Sequence, residues 1–245
     1  MSGELGRDGF AALGPVLAAP ALARVSRAVD ALLAGRAASE HGVIVHNAYR
    51  RAAPLADVAL DGALATAVAD LVGDDVVLFQ DHVIAKPPGT AASIAWHQDF
   101  GYWPLDAPRG LTVWIALDDA GADNGCLHYV AGSHRLGERR AADFAPGAPQ
   151  PGWAGRGLAP IAVDDGVAMA AAVAAGAALV HDPLVWHMSP PNRSPRPRRA
   201  WSLSWIAAGV AWAPDHAPHP YTSQGGVRAG APVDGPDFPR FARRA

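Results

Sequence analysis

The sequence predicts a mainly β fold, a sandwich or jelly roll backed by N-terminal helices, and three observations carry that expectation. Apolar spacing of three and four residues is confined to the first part of the chain, 1–73, and short β-branched runs follow it over 75–210. Helices first and strands after is the order expected of a β layer structure with helices packed to one side. Gly (26) and Pro (22) are both above average usage, which favours many turns over a helix bundle. The 245 residues are 50% hydrophobic, enough for one core, and neither a linker nor an internal repeat divides them, so a single domain spanning 1–245 is expected.

Taken in order, Leu22, Val25, Val29, Leu32 and Leu33 predict an amphipathic helix ending at Gly35. Gly14-Pro15 and Pro20 interrupt the residues before it, where a short helix or turn is expected. A second helix runs from Asp61, as N-cap, to Leu71 and stops at Gly73. Residues 36–60 are ambiguous apart from a short strand at 43–45. Residues 75–84 read as a strand closed by the turn Lys86-Pro87-Pro88-Gly89. Further strands are expected at 93–100, at 111–117 with Thr112, Trp114 and Ala116 on one face, and at 126–130 after the turn Asp123-Asn124-Gly125. Residues 132–160 are loop-like. Strands return at 177–181 and 184–188, and a Pro- and Arg-rich turn leads into a last strand at 199–210. Arg198, Ala200, Ser202 and Ser204 face one way there, and Arg199, Trp201, Leu203 and Trp205 the other. Residues 213–245 form a Pro/Gly-rich tail without periodicity.

Composition excludes several roles. A net charge of −3, with no basic stripe apart from the proline-interrupted run Arg193–Arg199, gives no reason to expect nucleic acid as a partner. One cysteine, Cys126, rules out an internal disulfide framework and suits a reducing cytosol; it reads as a small buried hydrophobe. The longest apolar run, 167–180, is alanine-dominated and too short to cross a bilayer. No basic-then-apolar leader opens the chain. A soluble, cytoplasmic protein acting on a small molecule is the expectation.

The chemistry centres on Trp96-His97-Gln98-Asp99-Phe100. Residues two apart on a strand share a face, so His97 and Asp99 project together and Gln98 turns away. One imidazole and one carboxylate make two-thirds of the facial triad that holds non-haem Fe(II). His181 and His187 are both available as the third ligand; they lie six apart, so strand parity does not choose between them. The residues after His187 favour it, because Arg198 follows at a distance suited to an iron site that uses a 2-oxo acid. The planar fork of arginine matches the far carboxylate of such a cosubstrate.

Together, His97-Gln-Asp99, Trp114-Ile-Ala-Leu-Asp-Asp, Asn124-Gly-Cys-Leu, Gly132-Ser-His and His187-x-Ser189-x-x-Asn192-x-Ser194 resemble the phytanoyl-CoA dioxygenase family in order and spacing. The resemblance implies a double-stranded β-helix, a jelly-roll variant, that uses Fe(II), 2-oxoglutarate and O2. It implies His97, Asp99 and His187 as iron ligands and Arg198 as partner of the cosubstrate's C5 carboxylate, with Ser189, Trp114 and His82 as further contacts. Thr112 joins that set from its facing alone. Related halogenases replace the carboxylate ligand with Gly or Ala, and Asp99 sets this chain apart from them. A basic pocket for a CoA phosphate is not evident. A tailoring hydroxylase or oxidative cyclase of secondary metabolism, with oligosaccharide antibiotics among the substrates of the family, is the implied role.

Tyr102 and Trp103 follow the iron ligands where substrate must approach, and Trp153 sits in the long loop; the three are candidate substrate contacts. His128 and His134 read as structural, and His181 as a strand residue or one behind the ligands. Two other classes fit part of the pattern. A cupin-like lyase or isomerase would use the same ligands without 2-oxoglutarate and would tolerate loss of Arg198. A non-catalytic binding module would take up no iron.

Overall fold

In the computed structural model, which describes residues 3–141, 156–164, 166–217 and 227–244, two antiparallel sheets pack face to face. The chain runs α1 (Gly3–Asp8), β1 (Phe10–Pro15), α2 (Ala19–Leu33), β2 (Val43–His46), α3 (Ala53–Leu60), α4 (Ala63–Val72), β3 (Val76–Lys86), β4 (Ile94–His97), β5 (Gly110–Ala116) and β6 (Leu127–Val130). It continues through β7 (Ala168–Ala171), β8 (Ala177–His181), β9 (His187–Ser189), β10 (Arg198–Ala207) and β11 (Arg240–Phe241). The larger sheet has the order β1-β8-β5-β10-β3-β11, with β2 also on β3; the smaller is β4-β9-β6-β7. This is the β-helix architecture with flanking N-terminal helices. Among the described residues, no helix is long and apolar enough to cross a membrane.

Alternation along the central strands decides where the cavity lies. On β10 and β5 the large residues Trp201, Leu203, Trp205, Val113 and Ile115 point outward and bury against Val25, Val29, Leu55 and Val68 of the helices. Each such aliphatic side chain contributes roughly 1.5–3 kcal/mol of burial. Inward, β10 offers only Ala200, Ser202 and Ser204 between Arg198 and Ile206. Small residues on that face do not fill the space between the sheets, and a cavity remains there. Trp114, Ala116, Leu179 and Ala200 meet Leu127 and Tyr129 of the smaller sheet beside it.

Several elements depart from the sequence expectation. Phe10–Pro15, expected as helix or turn, is an edge strand on β8, fixed by the stacking of Phe10 on Tyr129 at 4.2 Å. Pro20 begins α2 instead of breaking it, since the first turn needs no amide donor there. The ambiguous 36–60 contains β2 and α3. Asp61, expected as the N-cap of α4, instead ends α3, and Gly62 is the N-cap; the Asp61 carboxylate accepts from Ala63 N at 2.8 Å, and Gly73 closes α4 at φ 84°. Part of the tail forms β11 on β3.

Asp81, on the outward face of β3, is 1% exposed and accepts from Tyr49 N (3.1 Å) and Trp201 Nε1 (2.8 Å). Burial pushes its carboxyl up from 3.8 to about 6, outweighing those hydrogen bonds. A folded pKa above the unfolded one gives a contribution that is complete below pH 3.8 and is lost as pH rises through 6. The whole is on the order of 3 kcal/mol. Urea unfolding from pH 4 to pH 7 is therefore expected to move in favour of Asp81→Asn over the native chain. A difference between the two that does not change with pH would contradict this.

Candidate metal centre

Strand register brings the three candidate ligands together. β4 pairs with β9 so that His97 lies opposite His187, and β9 pairs in turn with β6, placing Tyr129 on the other side of His187. Gln98 keeps extended backbone (φ −120°, ψ 137°), so alternation survives one step past the strand and Asp99 emerges on the face of His97. The chain then coils into a 3-10 turn, Asp99–Tyr102, instead of continuing as strand to 100. Gln98 turns away and is buried: its Nε2 donates to the carbonyls of Leu184 (2.6 Å) and Gly137 (3.0 Å), and its Oε1 accepts from Arg139 N (2.7 Å).

The imidazoles are oriented by backbone. Nδ1 of His97 meets Ala95 O at 2.8 Å and Nδ1 of His187 meets Val185 O at 3.1 Å. A carbonyl only accepts, so each Nδ1 carries a proton and each Nε2 is the ring nitrogen turned inward. These Nε2 atoms stand 3.8 and 3.5 Å from Asp99 Oδ1, and one donor atom from each of the three residues lies within 4.8 Å of the others. Burial, with His187 alongside, pushes His97 down to about 3 and keeps it neutral. Burial alone would raise the Asp99 carboxyl; the imidazoles of His187 and His181 outweigh it and hold the group well below the usual carboxylate range. Two imidazoles and one carboxylate are the donor set of a non-haem Fe(II) facial triad.

Behind Ser189 and Trp114 of the cavity wall lies Arg198, 1% exposed. Its Nη2 donates to Ser189 Oγ at 3.0 Å, and its guanidinium carbon lies 5.5 Å from the Trp114 ring centroid. Neighbouring Arg199 faces outward and takes Asp118 at 2.6 Å and Asp30 at 2.5 Å. Among the described residues no carboxylate pairs with Arg198, and its Nε has no hydrogen-bond partner. Burial pushes its pKa down to about 10. Lys86, its cross-strand partner, donates to Ser189 O (2.7 Å) and Pro190 O (2.6 Å), and burial lowers it to about 6. A buried cation without an acid is costly unless an anion arrives, so these residues fit the carboxylate of a dicarboxylic cosubstrate. The floor is tightly built: Ser189 Oγ donates to Gly125 O at 2.9 Å, and a Cβ on Gly125 would sit 2.6 Å from Pro190 O.

The cavity that His97, Asp99, His187, Trp114 and Ser189 line measures about 360 Å³, within the range of small-molecule sites. His82 lines it on β3, beside Ser202 of β10 and with its ring 5.7 Å from that of His46. Tyr102 lines it with its ring 5.9 Å from that of His97. Trp103 reaches the wall but is 1% exposed and packs on Phe79 at 5.7 Å, a core position at least as much as a substrate contact. Thr112, expected near the cosubstrate, is placed on the ligand carboxylate, its Oγ1 donating to Asp99 Oδ2 at 2.7 Å. His181 reaches the same oxygen at 3.1 Å. His128 bonds Cys126 O at 3.3 Å, while His134 Nδ1 has no hydrogen-bond partner among the described residues. Trp153 lies outside the described residues. Sequence reasoning missed His41, His46 and Gln80 in the wall; the alternation of Ile44 and His46 on β2 was the available signal.

The sequence profile of the phytanoyl-CoA dioxygenase (PhyH) family matches residues 5–200. Phytanoyl-CoA dioxygenase domain-containing protein 1 of Bos taurus is 36% identical over 143 residues, covering 57% of this chain and 48% of its own. The chain thus spans about half the length of the curated relatives it matches. The epimerase SnoN from nogalamycin biosynthesis superposes with TM-score 0.78 at 23% identity, over 99% of this chain and 95% of its own. EvdO2 from Micromonospora carbonacea var. aurantiaca, solved with 2-oxoglutarate, gives TM-score 0.67 at 30% identity, over 88% of this chain and 92% of its own.

Proposed function

We infer the activity from one premise: this chain belongs to the phytanoyl-CoA dioxygenase (PhyH) family. It is an Fe(II)- and 2-oxoglutarate-dependent oxygenase that oxidises a C–H bond of a small molecule, as a tailoring step in secondary-metabolite biosynthesis. The observation that carries this reading is a cavity that holds a His–Asp–His set, with a buried guanidinium that no carboxylate pairs with among the described residues set behind Ser189 and Trp114 of its wall. EvdO2, the 30% identical relative in structure, holds 2-oxoglutarate. SnoN belongs to nogalamycin biosynthesis, a context in keeping with the tailoring role.

Bound together, Fe(II) and 2-oxoglutarate supply an oxidant from O2 as the oxo acid loses CO2 and becomes succinate. The chain's own residues have narrower tasks. His97, Asp99 and His187 would hold the iron. Arg198 and Ser189 would hold the far carboxylate, with Trp114 and His82 beside the cosubstrate. Ile84, Ile94 and Leu127 give the cavity apolar wall that excludes water from the reacting groups. Tyr102 stands beside His97, where the substrate C–H bond has to be presented. No separate acid or base is assigned. One domain, in the cytoplasm, suits a chain with a single buried cysteine.

The lining supports a substrate class. Its one carboxylate, Asp99, belongs to the ligand set, and it includes neither lysine nor arginine, so a CoA phosphate meets no counter-charge there. His41, His46 and Gln80 offer hydrogen bonding on the β2–β3 side. The moiety that enters is uncharged and bears hydroxyl or ether oxygens, as in a glycosylated natural product. Succinate release from 2-oxoglutarate is expected to rise when neutral glycosylated antibiotics are supplied and to stay at its basal rate with phytanoyl-CoA. Stimulation by the acyl-CoA alone would overturn this assignment.

A further inference from the structure

We propose that His181, itself held by Tyr129, is a positioning residue that restricts Asp99 to coordinating metal through one oxygen. The inference rests on the metal-centre reading above. Thr112 and His181 are cross-strand partners on β5 and β8, so their side chains arrive at Asp99 side by side. Thr112 Oγ1 donates to Asp99 Oδ2 at 2.7 Å, and His181 Nε2 meets the same oxygen at 3.1 Å. An ionised carboxylate only accepts, so Nε2 carries the hydrogen. Nδ1 of the neutral ring is then an acceptor, and the Tyr129 hydroxyl, 2.9 Å away, donates to it. Tyr129 is fully buried, and its ring is fixed by the stack on Phe10. Ser204 Oγ lies 3.1 Å from Thr112 Oγ1 and donates to it, because the Thr112 hydrogen is already committed.

The result is an asymmetric carboxylate. Oδ2 is engaged by two donors from the larger sheet, and Oδ1 alone faces the two ligand imidazoles of the smaller sheet. For Asp99 to offer both oxygens, Thr112 and His181 would be left as buried unpaired donors, a cost of about 1–3 kcal/mol each. A one-oxygen carboxylate leaves the positions that cosubstrate and O2 need. Tyr129 fixes which nitrogen of His181 donates, and so acts through it.

The test uses the full chain and Co(II), whose visible spectrum reports coordination number as well as binding. Native protein is expected to bind Co(II), and His181→Leu to bind it about 10- to 100-fold more weakly, with an altered ligand-field spectrum. His181→Gln, which restores a donor, should recover most of both. Tyr129→Phe should weaken binding in the native background and add nothing in His181→Leu, since it acts through that ring. A His181→Leu variant with native affinity and spectrum would overturn the proposal. Should that variant not fold, Tyr129→Phe carries the test, and unchanged Co(II) affinity there overturns it equally. Native protein that takes up no Co(II) would remove the metal-centre reading itself, a failure distinct from equal binding by native and variant chains.

Discussion

Replacing Arg198 with methionine is expected to weaken 2-oxoglutarate binding and stabilise the protein at once. In the cosubstrate complex the guanidinium would face a carboxylate in a buried setting, and truncating one member of such a pair costs ~2–5 kcal/mol, or roughly 30- to 5,000-fold in affinity. Without cosubstrate the balance reverses. Arg198 is 1% exposed, its Nε lacks a partner, and the acid nearest its strand neighbour serves Arg199. Burial holds its pKa at about 10, well under the ordinary 12.5, so charge at that position works against folding at neutral pH. An apolar side chain of similar length removes that penalty, and a gain of about 1–4 kcal/mol is expected. Calorimetric unfolding and 2-oxoglutarate titration of the same variant check both halves. Lower stability with unchanged 2-oxoglutarate affinity would mean that Arg198 is a structural cation and that the socket lies elsewhere.

His187→Ala should abolish metal uptake and with it all succinate formation. Among the described residues it is one of three that bring a donor atom to the site, and its ring also packs against His97 at 4.1 Å. Altering groups behind a ligand costs roughly 10–100-fold in metal affinity; removing the ligand itself is expected to exceed that, on the order of 1,000-fold. The fold should survive, because β9 keeps its backbone pairing with β4 and β6. Equilibrium dialysis of Fe(II) with a circular-dichroism control separates loss of the ligand from loss of the structure. Retention of native Fe(II) affinity in a folded variant would eliminate His187 as a ligand.

Much of this was legible because the two-residue period of a strand is robust. His97 and Asp99 share a face even though the strand ends between them, since Gln98 stays extended. The same period could not separate His181 from His187. Six apart, they have equal parity, yet the chain changes sheet between them: His181 ends β8 of the larger sheet and His187 opens β9 of the smaller. One therefore approaches Asp99 from each side, a relation with no sequence signature. β1 was missed for a similar reason. Its six residues carry little pattern of their own and are strand because β8 and the Tyr129 ring are there to receive them. β2, four residues long, was too short to assign its one histidine, His46, to the cavity. Trp103 was placed by proximity to the ligands, but the 3-10 turn carries it into the cluster around Phe79, Leu105 and Ile206.

The central claim is that one cavity holds Fe(II) at His97, Asp99 and His187 and 2-oxoglutarate between that metal and Arg198. Anaerobic titration of the metal-free protein with Fe(II) and then 2-oxoglutarate tests it most directly, by the weak visible charge-transfer band of a 2-oxo acid chelated to Fe(II). The band is expected with the native chain, absent in His187→Ala, and shifted to much higher 2-oxoglutarate concentrations in Arg198→Met. Iron that binds without ever developing the band would contradict the account and leave a metal-dependent lyase or isomerase; a chain that takes up no iron would leave a binding module.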